Sequence, residues 1–155
     1  MTAGTPREAV RREILLPVAP ALVWPAIVTP QRMAGWMADF PLHIAVTWTV
    51  GASLHMTGDL HGVPFENRGT VLEVVPVRLV RFTYWTSLSG RPYTGADLPV
   101  VQFTLTPEGD GTRLEVSHGN VPAGPERQHL PFYWNAALLK LGDVLLGSTG
   151  SWHSR

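Results

Sequence analysis

From Val10 to Leu16 the chain alternates: Val10, Arg12, Ile14 and Leu16 share one face, Arg11, Glu13 and Leu15 the other, and Pro17 stops the run. A repeat of two puts successive side chains on opposite sides of an extended backbone, so a strand is predicted here. The period then lengthens. Leu22, Val23, Ala26 and Ile27 recur at helical spacing behind Pro20, which suits a first turn. Pro25 lies deeper, where it removes a backbone donor and crowds the preceding turn, so the helix should be short or kinked. A second short helix is predicted from Pro30 to Met37, with Met33, Trp36 and Met37 on its buried side.

Period two returns in the middle of the chain. Leu42 to Thr49, Ser53 to Leu60, Asn67 to Val75, Leu79 to Ser87, Leu98 to Thr106 and Thr112 to His118 read as strands between Gly, Pro and Asp breaks, an order that predicts an antiparallel meander. Asp110-Gly111 reads as a hairpin turn, because glycine accepts the positive φ of a tight reversal. From His129 the pattern is helical again: Leu130, Trp134, Leu138, Leu141 and Leu145 form one continuous stripe. An antiparallel sheet with one dry face can bury that stripe. The pattern therefore predicts one α+β domain over residues 8–147, a curved antiparallel sheet wrapped around a long C-terminal helix, with two short helices after the first strand and flexible termini at 1–7 and 148–155.

Composition narrows the function classes. A chain of 155 residues buries roughly 68–70% of its unfolded surface, enough for one core. Twelve acidic and twelve basic residues cancel, which leaves no electrostatic footprint for nucleic acid or an anionic membrane. Without cysteine there is no disulfide, thiolate nucleophile or Cys-based zinc site. Met1 to Glu8 has no apolar signal core and no apolar run reaches a membrane span, so a cytoplasmic protein is expected.

Candidate chemistry is sparse. His43, His55, His61, His118, His129 and His153 include no pair one helical turn apart, and no metal is expected. Gly109-Asp110-Gly111 precedes a strand, not the helix N-terminus that a phosphate loop requires. Ser117 and His118 are strand neighbours that point to opposite faces, so they do not pair as nucleophile and base. Glu66, Glu73, Glu108 and Glu115 fall near strand edges or turns, as solvated carboxylates do. The loop Ser89 to Asp97 reads either as a lid or as a solvated loop with Tyr93 packed down.

Alternation points to a chamber instead. If Leu114 and Val116 face inward, so does His118, and Phe103 and Leu105 bring Val101 with them. Leu42, Ile44, Val46 and Trp48 form the buried face of their strand, with Leu54 and Met56 beside it and Val80, Phe82 and Tyr84 further along. The candidate ligand-binding set is Trp36, Trp48, Met56, Tyr84, Phe103, His118, Tyr133 and Trp134, in which Tyr84 and His118 are polar handles among apolar walls. The same aromatics also fit a core closed by side chains. A hydrogen bond between His118 and Tyr84 in a dry core would mark the pair as structural.

Leu16-Pro17, Val23-Trp24, Leu72-Glu73-Val74-Val75-Pro76, the phrase from Pro107 to Leu114, and an apolar C-terminal helix carrying Trp134 follow one another in this order. Together they resemble the START-like (Bet v 1-like, SRPBCC) superfamily, in the branch of the activator of heat-shock-protein-90 ATPase homologue. The resemblance spans about Glu8 to Leu146 and departs at Ala19, at Pro25 and in the Pro- and Gly-rich segment Gly119 to Gln128. It implies a helix-grip fold and a shared hollow shape more than a shared chemistry. The expected function is binding of a small hydrophobic or aromatic molecule without a cofactor. A cyclase-, dehydratase- or hydrolase-like enzyme with His118 as acid or base is the first alternative, and a chaperone-associated protein-binding domain the second. Exposed aromatics such as Trp152 or Tyr93 could also support a homodimer.

Overall fold

Strict alternation over seven residues makes β1 (Val10–Leu16), and the chain then turns into α1 (Pro20–Val28) and α2 (Pro30–Met37). The computed structural model describes residues 9–93 and 97–146; the tails expected to be flexible, Trp152 among them, lie outside the described residues. Pro20 and Pro30 each occupy a first turn, where a missing N–H breaks no helical bond. Ala19 supplies no side-chain cap, and its carbonyl accepts from the backbone of Leu22 at 2.8 Å. Pro25 sits inside α1, which ends three residues later at Val28; Thr29 caps that end and also opens α2.

Six further strands and a two-residue strand follow: β2 (Leu42–Val46), β3 (Ser53–Leu60), β4 (Val63–Val75), β5 (Leu79–Thr83), β6 (Trp85–Thr86), β7 (Val100–Glu108) and β8 (Gly111–Gly119). All pairings are antiparallel in the order β1-β8-β7-β5-β4-β3-β2, with β6 on β4 off this path. The meander is therefore present, and β1 extends it beyond β8. The long helix α3 (Pro125–Leu145) packs along β1 and against α1 and α2. This is the helix-grip arrangement. The residues predicted to face inward do so: Leu54, Met56, Val80, Phe82, Val101, Phe103, Leu105, Leu114 and Val116 meet Trp134, Leu138 and Leu141 in one core.

β2 stops at Val46, short of the expected Thr49, and β7 runs from Val100 to Glu108 where Leu98 to Thr106 was expected; four further boundaries differ from the sequence reading for a local reason. β4 begins at Val63 because His61 and Gly62, both with positive φ, make a two-residue turn that pairs Leu60 with Val63. The strand expected to run to Ser87 breaks at Tyr84, after which β6 changes partner to β4. In the second hairpin Gly109, with φ of 59°, and Asp110 form the turn, while Gly111 is the first residue of β8. A Cβ on Gly111 would overlap the carbonyl of Leu16, so this glycine permits the close approach of β1. Finally, α3 starts at Pro125, four residues before His129, and carries Pro131 within it.

The sheet bends along β4. Gly69 leaves room for the carbonyl of Thr83, Thr70 N–H donates to Thr83 Oγ1 at 2.8 Å, and the β4–β5 register shifts between Val71 and Glu73. The first half of β4 follows β3 and the second half follows β5, which opens space beneath one end of α3.

Candidate functional site

That space is a chamber of about 850 Å³. Its inner end is formed by Asn67 of β4, Tyr84 at the β5–β6 break, His118 near the end of β8, Trp36 of α2, and Leu130, Tyr133 and Ala137 of α3. Met37, Phe40, Leu42, Leu60 and Phe65 continue the wall outward, and Asp39, His61, Leu88, Glu126, His129 and Lys140 stand around the mouth.

Hydrogen bonds hold the inner groups in fixed roles. The indole N–H of Trp134 donates to His118 Nδ1 at 3.1 Å. An indole nitrogen only donates, so Nδ1 must present its lone pair and the imidazole proton sits on Nε2. Asn67 Nδ2 donates to the Tyr84 hydroxyl at 3.0 Å, and that hydroxyl donates to Met56 Sδ at 3.7 Å. Tyr133 donates to the Met37 carbonyl at 2.6 Å, and Trp36 Nε1 to the Ala26 carbonyl at 2.9 Å. Tyr84 and His118 meet edge to face at 5.8 Å between ring centroids and do not hydrogen-bond each other. Asn67, 7% exposed, and His118, 4% exposed, each keep one buried polar atom with no hydrogen-bond partner, Oδ1 and Nε2.

Burial sets the protonation states. It lowers the His118 pKa to about 4 and raises that of Tyr84 to about 12, the bond from Asn67 working the other way on Tyr84. Burial also raises Tyr133 well above its ordinary value, with the Tyr84 and Asp39 charges acting in the same direction. At neutral pH the residues of the inner end include a neutral imidazole, a protonated phenol and an amide. His118 has no free basic nitrogen while Trp134 occupies Nδ1, which suits it to donating a hydrogen bond more than to carrying a proton.

Of the eight candidate residues, Trp36, Tyr84, His118 and Tyr133 lie on the chamber wall. The other four are set back from it. Phe103 fills the layer between Trp36 and Trp134, and the Trp134 indole backs His118. Met56 lies behind Asn67 and Tyr84. Trp48 falls beyond the end of β2, packs on Phe82 and donates to the Val28 carbonyl at 2.7 Å. Large side chains close most of the space between the helix and the sheet, and the chamber lies beside the bend in β4. Asn67 escaped the sequence reading, although it pairs with inward-facing Met56 and shares the face of Gly69 and Val71, a polar residue in a core register.

Both sides of the mouth are bridged. Arg91 meets Glu126 of α3 at 2.9 Å and holds the Trp85 indole through its carbonyl at 2.8 Å, while Leu88 and Ser89 of the same segment line the opening. Tyr93 packs on Trp85, and the Arg68 guanidinium lies over both rings. Opposite, Lys140 donates to the Ala38 carbonyl at 2.7 Å and to Asp39 at 3.0 Å. Among the described residues no group of three His, Asp or Glu side chains is placed to hold a metal ion, and no helix is long and apolar enough to cross a membrane.

A family model described as "Activator of Hsp90 ATPase homolog 1-like protein" matches residues 17–145. No curated protein sequence matches the chain. Among solved structures, ChR145 from Cytophaga hutchinsonii is 23% identical with a TM-score of 0.76, over 91% of this chain and 95% of that one. DynU16, from the dynemicin biosynthetic locus, is 24% identical with a TM-score of 0.72, over 94% of this chain and 50% of that one. The Aha1 dimer from Colwellia psychrerythraea is 17% identical with a TM-score of 0.69, over 89% of this chain and 96% of that one. Likeness at these identities shows a shared fold.

Proposed function

The chain belongs to the family of Activator of Hsp90 ATPase homolog 1-like proteins, and on that premise we propose that it binds a small, largely apolar or aromatic molecule in the chamber beneath α3. The carrying observation is the chamber itself: about 850 Å³, walled by aromatic and aliphatic side chains, with few polar groups at its inner end. Ligand sites commonly occupy roughly 300–1,000 Å³ and share this make-up. The occurrence of DynU16 in a biosynthetic locus agrees with a fold that handles organic molecules.

Native mass spectrometry of freshly purified protein, followed by denaturing extraction, tests this reading. A discrete released mass, or a melting temperature that rises with an apolar probe, is expected. A clean protein mass together with a melting temperature indifferent to every apolar probe overturns it.

A cyclase- or hydrolase-like reaction in the same chamber, with His118 as acid or base, would first require His118 to leave Trp134. Action on a chaperone has only the family's description behind it. Self-association has more: the Colwellia relative is described as a dimer, and Phe132 and Leu139 stand exposed on α3. Sedimentation of the purified chain decides it, a monomer at all concentrations counting against a dimer.

A further inference from the structure

Resting on that reading, we infer that the ligand is a neutral molecule that places a hydrogen-bond acceptor against the N–H of His118 and a hydrogen-bond donor against Oδ1 of Asn67: a ring system bearing a carbonyl or ether oxygen and, elsewhere, a hydroxyl or N–H. Two residues of one chamber wall, on different strands, each keep a buried polar atom without a partner. Their polarity is set by their neighbours. The Trp134 indole consumes Nδ1 of His118 and leaves a donor; Asn67 spends its amide N–H on Tyr84 and Met56 and leaves an acceptor. Buried polar groups are almost always paired, so this donor and this acceptor together select the complement.

Charge is excluded by what surrounds them. Among the described residues no lysine, arginine or carboxylate lies at the inner end; the cation and acids on the wall are Lys140, Asp39 and Glu126, all at the mouth, and the first two bind each other while Glu126 binds Arg91. An ionised ligand group at the inner end would leave water with no counter-charge to receive it. A purely apolar ligand would fill the space and leave both atoms without a partner, and one with an acceptor alone would satisfy His118 only. A site that hydrogen-bonds its ligand discriminates strongly against the analogue that lacks the group.

The test uses tetralin, α-tetralone and three ring-hydroxylated α-tetralones that differ in hydroxyl position, titrated by tryptophan fluorescence into the wild-type protein and into His118→Phe and Asn67→Leu. The preference for α-tetralone over tetralin should fall about fivefold or more in His118→Phe, and that for the best hydroxytetralone over α-tetralone by a similar factor in Asn67→Leu. Should either variant not fold, wild-type protein with nitrogen-labelled histidine carries the test: the Nε2 resonance of His118 should move with α-tetralone and stay with tetralin. Preferences unchanged in folded variants, or an Nε2 resonance indifferent to the carbonyl, overturn the inference and leave the chamber a non-selective apolar site. Failure of all five probes to bind also overturns the inference, and it removes the binding function only when joined by the clean native mass described above.

Discussion

His118 accepts the indole proton of Trp134 at 3.1 Å, and this one contact ties the inner end of the chamber to the core stripe of α3. It has an acid signature. Protonating His118 would place a charge in a buried site and turn a second donor toward the indole. Its pKa falls from 6.5 to about 4, so between those values the unfolded chain binds the proton that the folded chain refuses. Stability is therefore complete above about pH 6.5 and declines as the pH falls toward about 4, by about 3 kcal/mol from this group. Denaturant melts across that window should show the slope in wild type and its loss in His118→Phe. That variant should also lose about 1–3 kcal/mol at neutral pH, because the Trp134 N–H is left buried without an acceptor.

Gly69 and Gly35 should respond oppositely to alanine. A Cβ at Gly69 overlaps the Thr83 carbonyl at the sheet's bend, so Gly69→Ala should destabilise by about 3 kcal/mol or more. Gly35 lies in α2 with nothing within 4 Å of an added Cβ, so Gly35→Ala should stabilise by about 0.5–1 kcal/mol. Equilibrium unfolding of the two variants checks both signs, and equal responses would contradict the bend described for β4.

Ala137 is buried in α3 on the chamber wall. Ala137→Leu should direct its added atoms into the open space, keep a cooperative unfolding transition within about 1.5 kcal/mol of wild type, and weaken every apolar probe. Undiminished probe binding in a folded Ala137→Leu protein would place the ligand elsewhere.

Arg91 and Glu126 join the segment after β6 to the first turn of α3, with both side chains about one-third exposed. An ion pair of this exposure contributes little to folding, so Glu126→Gln should change stability by less than about 1 kcal/mol. Its effect should appear instead as faster probe release in stopped flow, a difference that narrows as salt rises.

Legibility in the sequence follows the range of the interactions involved. Alternation in Leu114, Val116 and His118, or Val101, Phe103 and Leu105, is a local property, and it named the inward faces of the sheet before any contact was known. The bounds of α2 were equally local. Tyr84 was not: the strand breaks there because Gly69, fifteen positions earlier, admits the Thr83 carbonyl, and no pattern around Tyr84 records that approach. The His61-Gly62 turn lacks the usual Asn or Asp at its first position, so its hairpin was silent. The chamber was legible only in part. Composition named Trp36, Tyr84, His118 and Tyr133, but whether Phe103 and Trp134 stand on a wall or behind one depends on how far the sheet curves away from the helix.

α3 divides its labour by angle. Trp134, Leu138 and Leu141 lock it to the sheet, while Glu126, His129, Tyr133, Ala136 and Lys140 look into the chamber, with Leu130 and Ala137 between the two sets. Replacing a residue of the second set reshapes the cavity without unpicking the first. Under the proposed binding role, such a helix would let substitutions at the second set change which molecule fits while the chain stays folded.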